Sequence, residues 1–236
     1  MAKLQPKSPE APPDVAAIRR ELRAFYNLAD QDGRIPCNTQ WGIYAFYDFD
    51  GEPIYVGQTC EKLRSRIGRH LTNQRTDAVA MFVLDPFEVE SVEVWAFFEL
   101  EGTKCSDKEA QQLVDAAERT VFEKALRQSR FHAVLNEKMP PKSKPIQLPE
   151  SWKASIIPEE LRESRSHPDI RIARRAHTIS NLARVISERG EVNPGLRHTL
   201  IIQARRLEWL AESRVNELGA PYPAKGPGEE TGEDSL

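Results

Sequence analysis

The sequence predicts an α+β fold: a small, mostly antiparallel sheet of three strands flanked by helices, with a C-terminal helical hairpin appended. Three observations carry this. Apolar and aromatic residues run on both sides of Asp50-Gly51, a hairpin-forming dipeptide, between Trp41 and Thr59. Helical periodicity precedes this hairpin, follows it, and returns after a later β-rich run, giving the order helix, strand, strand, helix, strand, helix. From residue 158 onward the periodicity is helical, broken once by RGEVNPG.

Residues 1–12 are Pro-rich and expected to be disordered. Over 13–29, Val15, Ile18, Leu22 and Phe25 recur at helical spacing, with Asp14 placed to cap. In the hairpin, a two-residue turn at Asp50-Gly51 sets Tyr47 opposite Ile54, Phe46 opposite Tyr55 and Tyr44 opposite Gly57. Alternation then places Tyr44, Phe46 and Tyr55 on one face, where Gly57 leaves room above the sheet. Ile43, Ala45, Tyr47, Ile54 and Val56 take the other face as core. Residues 61–73 read as a helix anchored by Leu63, Ile67 and Leu71. It presents Arg66 and His70, four apart, on a second face. SVEVWAFFEL (91–100) supplies the third strand, and a long helix runs over roughly 107–128 with Ser106 or Asp107 as its cap.

The core domain is expected over 13–145, ending in the linker PPKSKP at 140–145, and the helical appendage over 146–218. Ile172, Ile179, Leu182 and Ile186 form one apolar stripe of the appendage. Leu196, Leu200, Ala204, Leu207, Leu210 and Ala211 form the other. The acidic tail 219–236 is expected to be disordered.

Hydrophobic residues make up 39% and charged residues 29% of the chain, which supports a packed core, and no apolar run approaches the ~20 residues of a membrane span. The N-terminus lacks the apolar segment of a signal peptide. Cys37, Cys60 and Cys105 are far apart, which argues against a disulfide framework or zinc site and fits a reducing cytoplasm. A net charge of −3 does not advertise a polyanion binder, but bases gather locally: Arg64, Arg66, Arg69, His70 and Arg75, then Arg171, Arg174 and Arg175, then Arg197, Arg205 and Arg206.

GIY at 42–44, YVG at 55–57, LRSRIGRH at 63–70, Glu118 in AAERTVF and Asn136 in FHAVLN together resemble the landmarks of the GIY-YIG nuclease superfamily. The resemblance covers about residues 41–137. It implies an endonuclease that hydrolyses phosphodiester bonds of double-stranded DNA with Mg²⁺, or with Mn²⁺ in its place. It assigns catalytic roles to Tyr44, Tyr55, Arg66, His70, Glu118 and Asn136, and the metal to Glu118. Glu118 is favoured over Glu123 because Val121 and Phe122 follow it three and four positions on, although Glu123 stands nearer Asn136. Position 58, often Lys in the family, is Gln here. Glu109 and Asp115 are expected to face solvent or cap. The base is either Tyr44 as tyrosinate or Tyr44 relaying a proton to His70.

The stretch from Gly57 to Val89 further resembles type II restriction endonucleases that cut the SacII-type sequence CCGCGG. That implies a homodimer or higher homo-oligomer acting on a GC-rich palindrome. DNA contacts are expected from Arg64, Arg69 and Arg75, and the appended basic helices are expected either to touch DNA or to pack a dimer. The competing classes are a repair or mobile-element endonuclease that nicks or cuts structured DNA, and a DNA-binding module with a degenerate core.

Overall fold

The alternating residues around Asp50-Gly51 form the centre of the structure, a computed structural model that describes residues 13–71, 83–136 and 138–219. Strands β1 (Gly42–Tyr47), β2 (Pro53–Thr59), β3 (Ser91–Ala96) and β4 (Ser151–Ser155) make one antiparallel sheet in the order β2-β1-β3-β4. The fourth strand corrects the expected three. It is SWKAS, short and only half-buried, and it opens segment 146–218 before that segment turns helical.

Helices cover both faces of the sheet. On one face α1 (Pro13–Tyr26) and α2 (Leu63–Leu71) pack with Tyr44, Phe46, Val92 and Val94. On the other, α3 (Lys108–Gln128) lays Val114, Ala117, Val121 and Phe122 against Ile43, Ala45, Val56 and Trp95. Asp107 caps α3, accepting from the Ala110 N–H at 3.0 Å. A short helix α4 (Glu159–Ser166) leads to the hairpin of α5 (Pro168–Arg189) and α6 (Pro194–Glu217). No helix among the described residues is long and apolar enough to cross a membrane.

The β1–β2 register matches the sequence reading at its functional end, with Phe46 opposite Tyr55 and Tyr44 opposite Gly57. It departs from it at the turn. The strands re-pair as Tyr47 opposite Pro53 across a register shift, and Ile54 joins Tyr44 and Phe46 in their core rather than facing Ile43 and Val56. The reason is Asp48. Its carboxylate accepts from the N–H groups of Asp50 and Glu52 at 2.9 and 3.0 Å and widens the loop. Gly51 holds φ +70° within it, where glycine avoids strain.

The same turn docks the appendage. Arg171 grips Asp50 with two bonds of 2.9 and 2.6 Å. Arg175 reaches Asp48 at 3.0 Å and Glu88 at 3.1 Å, and Arg206 also binds Asp48. These three arginines are 2–3% exposed. Arg174 lies 3.1 Å from Glu88. The apolar stripes read from the sequence hold in part: Leu182, Ile186, Leu196 and Leu210 are buried. The buried face of α5 runs Arg171, Arg175, Thr178, Leu182, Val185, Ile186, and that of α6 runs Leu196, Thr199, Gln203, Arg206, Leu210. Arg171, Arg175 and Arg206 do not face outward toward DNA, because buried carboxylates hold them inside.

A second correction concerns sulfur. Cys60, after β2, and Cys105, before α3, form a disulfide. Cys37 is free and buried.

Candidate active site

Gly57 shows why a glycine sits opposite Tyr44. A Cβ there would lie 2.5 Å from the Tyr44 hydroxyl oxygen, so the phenol occupies the space the glycine vacates. The Tyr44 hydroxyl meets His70 Nε2 at 2.8 Å, tying β1 to α2, with the proton's position set by the imidazole tautomer. Tyr44 and His70 are buried, and Tyr55 completes a ring cluster with centroids 6.2 Å from Tyr44 and 5.1 Å from His70.

Arg66 lies one turn before His70 and joins two groups of side chains. It hydrogen-bonds Tyr44 and lies within electrostatic reach of the Tyr55 phenol, and its charge also reaches Glu118 on α3. Its Nε is buried without an acceptor. Beside it opens a cavity of about 450 Å³ lined by Trp41, Gln58, Glu61, Arg66, Gln111 and Asp115, among others.

Glu118 is pushed up to about 7, first by burial and second by the Asp115 carboxylate, against the pull of Gln58 and Arg66. The Gln58 amide donates to Asp115 Oδ1 at 2.6 Å and also hydrogen-bonds Glu118. Asp115 was expected to face solvent or cap; the structure instead brings it to the site. The signal was present in the sequence, since residues three apart share a helix face and position 58 departs from lysine. Glu123, the other metal candidate, is taken up by Arg119 at 2.7 Å.

A carboxylate crowded by a second one and held well above its ordinary range has the chemistry of a cation site. Glu118 therefore fits a hard divalent ion that takes its remaining ligands from water and phosphate. Among the described residues no group of three or more His, Cys, Asp or Glu side chains could hold a metal. In the metal-free protein, Glu118 should titrate near 7 in a ¹³C-carboxylate NMR titration, and Asp115→Asn should move it down. A Glu118 resonance that titrates below 5 in the wild type would refute this account of the pair.

The remaining sequence candidates separate. Asn136 turns its amide onto the β2 edge, donating to the Val56 carbonyl at 2.6 Å and accepting from its N–H at 3.1 Å. It fixes the strand from which Gln58 projects. Arg64 donates to the Tyr26 carbonyl at 2.7 Å and to Asn27 at 2.9 Å. Arg69 is paired with Glu61. Both are thus engaged within the protein. Arg75, residues 72 and 73 of the expected second helix, segment 1–12 and segment 220–236 lie outside the described residues.

Residues 40–130 match the family model of the GIY-YIG catalytic domain. The match takes in Tyr44, Tyr55, Arg66, His70 and Glu118 and ends before Asn136. No curated protein and no solved structure matches the chain. A GIY-YIG catalytic domain supports nuclease chemistry, with phosphodiester hydrolysis as the reaction and DNA as the substrate.

Proposed function

We propose that this protein is a type II restriction endonuclease that makes Mg²⁺-dependent double-strand cuts at a GC-rich palindrome of the CCGCGG kind. The observation that supports the nuclease part of this reading is Arg66, which connects the Tyr44–Tyr55–His70 cluster on one side with the Glu118 carboxylate on the other; the type II and palindrome parts rest on the resemblance of Gly57–Val89. A phosphate placed there meets a planar cation, a hydroxyl relay and an anionic ion-holder at once.

Glu118 would hold the metal, with Gln58 and Asp115 beside it. When bound there, such an ion would supply Lewis-acid stabilisation of the charge that develops in hydrolysis. Arg66 pairs its fork with two oxygens of the scissile phosphate. Its bond to the Tyr44 hydroxyl keeps the cation beside the proposed relay. Tyr44 then takes a proton from the attacking water as its own hydroxyl proton passes to His70 Nε2. An unassisted phenol, with a pKa of about 10, is a poor base near neutrality. Tyr55 packs against both rings and sets their angle. Cutting both strands of a palindrome calls for two copies related by a two-fold axis.

Two experiments test this. Plasmid incubated with the protein and Mg²⁺ should yield discrete double-strand ends on sequencing. Nicks or selective cutting of branched DNA would favour a repair or mobile-element enzyme, and binding without cleavage a degenerate module. For the relay, Tyr44→Phe should lose at least about 10³-fold in turnover and His70→Ala about 10²-fold or more. Near-normal cleavage by His70→Ala would sink the relay and leave Tyr44 as the base.

A further inference from the structure

Arg171, Arg175 and Arg206 are buried, and Arg64 and Arg69 are already paired with protein groups, so other exposed cations are candidates for a DNA contact. The segment read from the sequence as a linker, PPKSKP at 140–145, offers a candidate together with its flanks. Residues 138–149, KMPPKSKPIQLP, carry three lysines and no acid, in a chain whose net charge is −3. Lys138, Lys142 and Lys144 are exposed. Among the described residues none of the three makes an ion pair or hydrogen bond with a protein group.

The segment is held at defined points. Asn136, just before it, is hooked to Val56, two residues from Gln58 on β2. The Pro140 carbonyl accepts from Arg119, the residue after Glu118, at 3.4 Å. The Ile146 N–H donates to Thr120 Oγ1 at 3.1 Å, and Ile146 and Leu148 pack into the core beneath α3. Between Pro140 and Ile146 every residue is exposed. The result is an arch from Pro140 to Ile146, fixed at both ends to α3, the helix that carries Glu118; Lys142 and Lys144 stand on it and Lys138 lies just before it. Its prolines lower the cost of ordering it on a ligand.

We propose that this lysine arch is the phosphate-backbone contact of the enzyme, gripping duplex DNA beside the scissile phosphate. This rests on the nuclease reading of the site. The ligand follows from charge and placement. A proline-stiffened stretch of lysines attached to α3 at the two residues that follow Glu118 suits the dense negative charge of the flanking backbone, where each neutralised phosphate releases counterions. Lysine, as a point charge on a flexible stem, suits phosphates without reading bases.

The test measures duplex binding by fluorescence anisotropy in EDTA, across a salt series, for the wild type and the triple variant Lys138→Gln/Lys142→Gln/Lys144→Gln. The variant should weaken binding roughly 10- to 100-fold near 0.15 M salt and reduce the slope of log K against log salt by about 2 to 3. The triple Lys→Arg variant should restore the slope. Melting temperature should be unchanged because the side chains are exposed. A wild type that binds and cuts DNA, paired with an unchanged slope in the Gln variant, overturns the arch alone. A wild type that neither binds nor cuts duplex overturns the nuclease reading and the arch with it.

Discussion

Glu118→Gln should abolish Mg²⁺-dependent cleavage, by about 10³-fold or more, and at the same time raise the stability of the metal-free protein above pH 7. The two effects share one cause. Burial and the Asp115 charge raise the Glu118 carboxyl from its ordinary 4.5 to about 7, so the fold disfavours the charged form that the metal requires. Below 4.5 the group is neutral whether folded or unfolded, and it costs nothing. Between 4.5 and about 7 the unfolded chain ionises while the folded protein keeps the proton, so stability falls across that window, and the loss is complete above about 7. The cost is on the order of 2 kcal/mol after allowing for the partial exposure of the group. For a chain of this size that is roughly 5 °C. Urea denaturation at pH 8.5 and pH 4.5, without metal, should show the variant more stable only at the higher pH. Mg²⁺ should stabilise the wild type and leave the variant unmoved. Equal stability at both pH values would mean that Glu118 is not strained by its surroundings.

Much of this site could be read in the sequence because it depends on short-range geometry. The period of two along β1 and β2 places Tyr44, Phe46 and Tyr55 together, and the spacing of four on α2 places Arg66 near His70. What could not be read came from residues brought together over long separations. Strand β4 is five residues whose pairing with β3 reaches back about 60 positions, and its half-exposed pattern carries no strong alternation. The Cys60–Cys105 bond spans 45 residues, and nothing near either cysteine announces it. The basic helices misled for a different reason. Arg171, Arg175 and Arg206 occupy positions on the buried faces of their helices, but an arginine in a helical pattern reads as solvent-facing. Only their partners reverse that reading, and those partners are Asp48 and Asp50 in a turn and Glu88 in a loop. The turn residues that signalled a hairpin were also the anchors of the C-terminal helices.

That anchorage predicts the largest loss of stability in the molecule. Asp48 is 1% exposed and is the carboxylate on which Arg175 and Arg206 converge. Arg171 and Arg175 keep other acceptors when Asp48 is removed, in Asp50, Glu88 and the Arg206 carbonyl. Arg206 keeps no carboxylate within ion-pair distance, and its Nη1 already lacks a hydrogen-bond partner. Asp48→Ala therefore strands a guanidinium in the interior, at a cost of about 3–5 kcal/mol. It also frees the Asp50 and Glu52 N–H groups that the carboxylate caps, adding about 1 kcal/mol. The exposed pair Arg20–Glu160 offers the contrast, since breaking it should cost no more than about 1 kcal/mol. The decisive comparison is Asp48→Ala against Asp48→Ala/Arg206→Met. If the buried charge is the cause, the double variant should regain more than half of the lost stability in urea denaturation, because the methionine needs no counter-ion. A double variant no more stable than Asp48→Ala would place the loss in the turn itself and not in the ion cluster. Cleavage should follow stability in both variants, because Asp48 docks the α5–α6 hairpin and touches none of the residues around Arg66.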